Sequence, residues 1–194
     1  MSFASTILAV ILSLFAAVAP AAVYALLIWW CDRYEREPWA LLAVAFVWGA
    51  VPAIIISALA EMMFGVPLAG LQAMRLVNLL EASALAPVVE EATKALALVG
   101  LLLFFRREFD DVLDGLIYGA LVGIGFGMTE NLLYFLAAFF TGGWGVWGTV
   151  VFLRALVLGL SHAFYTAFSG VGLGLARLAR SGWQRWLMPG LILR

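Results

Sequence analysis

A chain of 194 residues that is 65% apolar and 12% charged, with mean hydropathy +1.07, has more apolar surface than a core of its size can hide, which excludes an ordinary water-soluble domain. A net charge of −1 excludes the basic field of a nucleic-acid binder, and a single cysteine, Cys31, excludes an intrachain disulfide. Cys31 lies near a predicted membrane edge with no histidine close in sequence, so it reads as a packing thiol rather than a nucleophile.

The hydropathy pattern predicts a single all-α domain over 1–194: a polytopic bundle of about five spanning helices near 5–30, 40–63, 82–105, 113–140 and 147–176. Each exceeds the ~20 residues that cross a bilayer as a helix, and helices satisfy their own backbone groups in lipid. The first apolar run lacks a preceding Lys or Arg and continues to Trp30, which favours a retained anchor over a cleaved signal. The stretch 65–81 is semi-apolar and is expected along the interface or as an early start of the third helix. "GGWGVWG" at 142–148 reads as an outer turn. The tail "SGWQRWLMPGLILR" is too short to span and reads as interfacial, or as the start of a sixth span.

Basic residues set the orientation. Arg33 and Arg36 follow the first span, Arg106 and Arg107 the third, and Arg177, Arg180 and Arg185 the fifth, whereas the opposite loops offer only Arg75. The positive-inside rule then puts the N-terminus outside. A multi-pass protein of the bacterial cytoplasmic membrane is expected.

Several ionisable residues sit in the wrong solvent. Glu90, Glu91, Lys94, Glu130, Arg154 and His162 fall within predicted spans, where a charge costs at least ~2.5–3.5 kcal/mol and usually marks function. Glu90 and Lys94 are one turn apart on one helix face, and Glu91 lies ~100° round from Glu90. One glutamate suffices for a structural clip with Lys94, so the second is surplus to it. Pro87 is expected to bend this helix. In the fourth segment Gly115, Gly119 and Gly123 form a small stripe that Gly125 and Gly127 extend, suited to close helix packing just before Glu130 and Asn131. Glu130 has no cation within its own turn, so it is protonated or paired with another helix or a metal. Asp110, Asp111 and Asp114 are expected to fix a loop and cap the helix start. His162, the only histidine, shares a face with Thr166 and with Ser169 or Gly170. Arg154 is expected to snorkel to the outer surface; pairing with Glu61 or Glu81 is the alternative.

Carboxylates and a histidine at similar depth suit hydrolysis inside the bilayer, by either of two routes. A glutamate serves as general base on water while His162 and nearby donors steady the oxyanion. Alternatively Glu90 or, preferred here, Glu91 joins Glu130 and His162 in holding a divalent metal such as zinc that acidifies the water, the other glutamate serving as base or supporting group. The residue pattern leaves both open.

Four stretches together resemble the PrsW family of bacterial intramembrane proteases, within the wider group of CAAX-prenyl endopeptidases and bacteriocin-immunity proteins. They are "DRYEREPW" at 32–39, "EEATK" at 90–94, "DDVLDGLIYGALVGIGFGMTENLLY" at 110–134 with Phe126, Glu130 and Asn131, and "HAFYT" at 162–166. The sequence departs from the family at Arg36 and at Val112–Leu113, where proline is frequent. The resemblance implies a membrane endopeptidase with Glu90, Glu91, Glu130 and His162 as active residues and Lys94, Asn131 and Thr166 in support. It implies Glu90 as the water-activating base, by analogy with the CAAX-type group, in which a second histidine stands where this chain has Glu130. It further implies a metalloprotease label and a membrane-protein substrate such as an anti-sigma factor. An ion-coupled transporter would also bury such residues, but no paired broken repeats are visible. A non-catalytic, partner-binding or immunity-type protein is the remaining alternative.

Overall fold

The computed structural model describes residues 2–33, 36–69 and 86–179, and these are helical with no strand among them. Helix α1 (Phe3–Cys31) is followed by α2 (Trp39–Trp48), a widened π turn (Gly49–Ala53) and α3 (Ile54–Ala69). After the undescribed 70–85 come α4 (Ala86–Phe104), α5 (Val112–Val151), a second π turn (Phe152–Val157) and α6 (Ser161–Leu178). Phe3–Cys31, Trp39–Met63 and Val112–Leu178 are long and apolar enough to cross a membrane.

Each break has a local cause. Pro52 has no N–H and its ring crowds the carbonyl one turn back, so α2 widens at Gly49–Ala53 rather than stopping. Asp111 N-caps α5: its side chain accepts from the N–H of Asp114, while Asp114 Oδ2 accepts from the N–H of Asp111 at 2.8 Å, completing a capping box. That is the role expected of the aspartates. Gly143, at φ 67° and ψ −161°, breaks the α5 stretch where a side chain would be strained. The expected Gly/Trp turn is thus confined to one residue, and helix resumes at once. The expected single helix over 147–176 is corrected too: it is interrupted at Leu158–Leu160, where Leu158 and Leu160 sit near φ −105° and ψ 0°.

Glycines decide the packing. A Cβ at Gly115 would lie 2.2 Å from the Gly170 carbonyl oxygen, at Gly119 2.5 Å from that of Thr166, and at Gly123 2.3 Å from that of His162. Each step of four along α5 is answered by a step of four back along α6, so the two helices are antiparallel with touching backbones. Gly125 turns to the other side and meets the Phe46 carbonyl of α2, while Gly127 faces the His162 ring. The stripe therefore serves two neighbours rather than one. On α1 the small residues Ala9, Ser13, Ala17 and Ala21 form the buried stripe, and Trp147 donates to Ser13 Oγ at 2.9 Å. Large apolar residues such as Ile11, Phe15 and Leu26 face outward, as lipid permits.

The basic loops meet at one end of the bundle. Arg177 donates to the Arg106 carbonyl, the backbone at Gly174 lies against Asp111, and Glu37 reaches Tyr118 near the start of α5. Arg33 and Arg36 stack on Trp30 and Trp29 there. Arg75, Glu81, Arg180, Arg185, the bulk of the 65–81 stretch and the C-terminal tail lie outside the described residues. So does the part of the chain before Ala86 on which a bend at Pro87 would act, since Pro87 falls in the first described turn of α4.

Candidate functional site

The packing brings four elements together at the far end of the bundle from the basic loops. At 1.5 Å per residue, Glu90 stands ~21 Å along α4 from Phe104, His162 ~22 Å along α6 from Arg177, and Glu130 ~28 Å along α5 from Asp111. All seven residues read from the sequence as site members are joined in one network there.

Lys94 is its hub. Its ammonium is fully buried, 2.7 Å from Glu91 Oε1, 3.4 Å from Glu90 Oε2 and 3.2 Å from His162 Nδ1. It also lies 3.8 Å from the centre of the Phe126 ring, which packs against His162 as well. An ammonium has no acceptor, so His162 Nδ1 must accept, and the ring proton resides on Nε2. That Nε2 is 2.7 Å from Glu130 Oε2, which accepts it. Glu130 is paired across helices as expected, but by Arg154 as well as by His162.

Arg154 is the clearest correction. It was expected to snorkel outward, and instead the π turn Phe152–Val157 directs it inward. Its guanidinium spans Glu130 and Asn131, donating to Asn131 Oδ1 at 2.8 Å, and stacks 4.0 Å above Tyr134. Sequence spacing gave no signal for this, because the pairing depends on α5 folding back at Gly143.

The two adjacent glutamates differ. Glu91 is saturated: Oε1 takes Lys94, and Oε2 accepts from Thr166 Oγ1 at 3.0 Å. Glu90 has only the long contact to Lys94 among the described residues. Both glutamates line a cavity of about 610 Å³ between α4 and α6, with His162 beside them. Behind Glu90, Thr93 bonds the backbone carbonyl of that residue at 2.8 Å and Ser57 at 2.7 Å, which fixes this turn against α3.

The expected metal set, Glu91, Glu130 and His162, does not fit this arrangement. Glu130 bonds Nε2 of the His162 ring directly, whereas Glu91 is linked to Nδ1 only through Lys94. A lysine ammonium fills the space between Glu91 and His162, and Arg154 holds Glu130. Among the described residues no group of three or more His, Cys, Asp or Glu side chains is disposed to share an ion.

A second polar cluster, not singled out residue by residue in the sequence, lies at the basic end. The Asp32 side chain accepts from the Glu37 N–H at 2.9 Å, and Tyr118 donates to Glu37. Burial pushes the Glu37 carboxyl up to about 8; Tyr118 opposes this, and Asp114 and Asp32 add to it. The signal was present in the acidic, proline-containing loop after α1, but the partner is 81 positions away on α5.

Comparison with known proteins decides the ancestry. The family profile described as "PrsW family intramembrane metalloprotease" matches residues 37–193. The chain belongs to the PrsW family. Protease PrsW of Geobacillus kaustophilus is 30% identical over 184 residues, covering 90% of this chain and 73% of that protein. Protease PrsW of Bacillus subtilis is 36% identical over 88 residues, 45% of this chain and 37% of that protein. Protease PrsW of Clostridioides difficile is 35% identical over 105 residues, 53% and 42% of the respective chains. No solved structure matches the chain with significance. PrsW membership makes this a peptidase family and decides against the transporter reading. It also makes a metal plausible by family description, in tension with the donor geometry of this PrsW member.

Proposed function

We propose that this protein hydrolyses peptide bonds within the spans of other membrane proteins, with Glu90 as general base. The observation that supports this reading is the asymmetry of the glutamate pair. Both glutamates line the cavity, but Glu91 has both oxygens engaged whereas Glu90 is under-bonded. Glu90 takes a proton from a water molecule, the resulting hydroxide attacks the scissile carbonyl, and the same proton passes to the leaving amine. The backbone N–H of His162, in the first turn of α6, finds no backbone acceptor among the described residues, and His162 lines the cavity, so this N–H is the proposed oxyanion donor. Glu91, Thr166, Glu130, Asn131 and Arg154 then act as positioning residues for Lys94 and His162. The analogy with CAAX-type endopeptidases, in which a glutamate activates the water, points the same way.

The bundle is proposed to cross the bacterial cytoplasmic membrane five times, through α1, α2 with α3, α4, and the two limbs of the α5–α6 hairpin. The basic end faces the cytoplasm and the N-terminus lies outside. With a hydrocarbon core ~30 Å thick, a site more than ~20 Å from the basic end falls in the outer half of the membrane. The substrate is proposed to be a membrane-spanning protein, an anti-sigma factor being the family analogy.

The test maps new protein N-termini by mass spectrometry in bacterial membranes holding wild type, Glu90→Gln, Glu91→Gln or His162→Ala at equal abundance. New termini in or beside spans, absent with Glu90→Gln, are expected. Unchanged termini in all four samples would sink the proposal and favour a partner-binding protein.

A further inference from the structure

The cavity beside Glu90 is walled on α4 by Pro87 and Val88 and on α6 by Phe164, Tyr165 and Phe168. The Phe164 and Phe168 rings meet edge to face at 4.6 Å, so this wall is a fixed aromatic surface rather than three independent side chains. Val88 and Phe164 are 66% and 59% exposed, which leaves the groove open sideways to lipid. Its polar side is unlike a lipid-filled groove. Besides Glu90, Glu91 and His162 it presents Ser161, whose hydroxyl makes no bond among the described residues, and Ser169, which holds only a 3.5 Å contact to the Tyr165 carbonyl.

An acyl chain would gain nothing from these groups. An intact substrate helix, ~10–12 Å across, would fill the 610 Å³ within about one and a half turns, and its amides are already bonded to one another. An unwound peptide suits both halves. Its freed amides need donors and acceptors in a membrane, and its side chains need apolar cover. We infer that the groove between α4 and α6 seats an extended stretch of a substrate span, with one large apolar side chain (Leu, Met or Phe) held between Val88 and the Phe164–Phe168 pair. The inference rests on the proposed peptidase reading of the same site, and gives it a side-chain preference set by named residues outside the proposed catalytic network. A groove of this volume lies within the ~300–1,000 Å³ of ordinary ligand sites.

The experiment extends the N-terminus mapping to Phe168→Ala and Val88→Trp in the same membranes, with Glu90→Gln as reference. Wild-type cuts should show one large apolar residue at a fixed position from the cleaved bond. Phe168→Ala enlarges the subsite and should move that preference towards Phe and Trp. Val88→Trp fills it and should move the preference towards Ala, Gly and Ser, each by about tenfold in relative frequency. Opposite shifts cannot come from a general loss of folding. Glu90-dependent cuts whose flanking residues are the same in all backgrounds would overturn the groove assignment while leaving the peptidase reading intact. Cuts that persist in Glu90→Gln would overturn the peptidase reading, and the groove assignment with it.

Discussion

The Lys94 ammonium lies 3.2 Å from Nδ1 of His162, and this contact sets the proton on the far side of the ring. His162 is the only histidine of the chain, so imidazole ¹⁵N NMR in detergent reads a single ring. A ring with its proton on Nε2 and Nδ1 accepting is expected, with the signal changed in Lys94→Met. A ring protonated at Nδ1 would contradict the network. Lys94→Met should also lower cleavage, because the ammonium that holds Glu91 and His162 in place is lost.

Arg154 should prove a positioning residue. Arg154→Gln strips Glu130 of a charged partner and should destabilise the protein by about 2 kcal/mol and slow cleavage. Arg154→Lys should rescue poorly, because an ammonium cannot span Glu130 and Asn131 as the guanidinium fork does. The double variant Arg154→Gln/Glu130→Gln should unfold at a higher temperature than Arg154→Gln alone. Equal melting of the two would show that the pair is not coupled.

Glycine contacts separate structural from tolerant positions. Gly123→Ala places a Cβ 2.3 Å from the His162 carbonyl oxygen and must push α5 from α6. A stability loss of ~1–3 kcal/mol is expected, with reduced cleavage because His162 moves away from Glu130. Gly100→Ala meets nothing within 4 Å and should be neutral or stabilising by up to ~1 kcal/mol. Thermal unfolding of both in the same detergent checks the contrast.

Glu37 gives a pH signature. Its carboxyl is raised from the usual 4.5 to about 8, chiefly by burial. Between those values the folded protein holds a proton that the unfolded chain has released. The stability it contributes is therefore full below about pH 4.5 and is lost as pH rises through about 8. Melting temperature should fall across this window in wild type, and the fall should be shallower in Glu37→Gln. An identical pH profile in the two proteins would count against a shared proton at this site.

Metal removal tests the donor geometry. With Lys94 and Arg154 on the faces that a metal would need, cleavage should survive dialysis against a chelator, while elemental analysis follows the metal content. Cleavage lost on chelation and regained with zinc would mean that the carboxylates rearrange around an ion.

Much of the candidate site was legible early because lipid makes polar residues conspicuous. Glu90, Glu91, Glu130 and His162 could be picked out without knowing any contact, and the spacing of Glu90 and Lys94 put them on one face, although in the fold Lys94 lies closer to Glu91. The aspartates before α5 were readable as caps because capping is local. Arg154 was not readable, since its partners lie on another limb of a hairpin that turns at a single residue, Gly143.

The sequence by itself determined the solvent, the helical class and the residues too polar to sit in lipid without a purpose. Those follow from composition and from periods of one helical turn, which need no long-range information. Only the tertiary structure decided who pairs with whom. The backbone contacts at Gly115, Gly119 and Gly123 set the register of α6 against α5 and so bring His162 to Glu130. The approach of α4 then leaves both glutamates at the groove, Glu91 with both oxygens bonded and Glu90 with only a long contact to Lys94. Two neighbouring and chemically identical side chains thus acquire different surroundings, because the helices packed against them differ on the two faces.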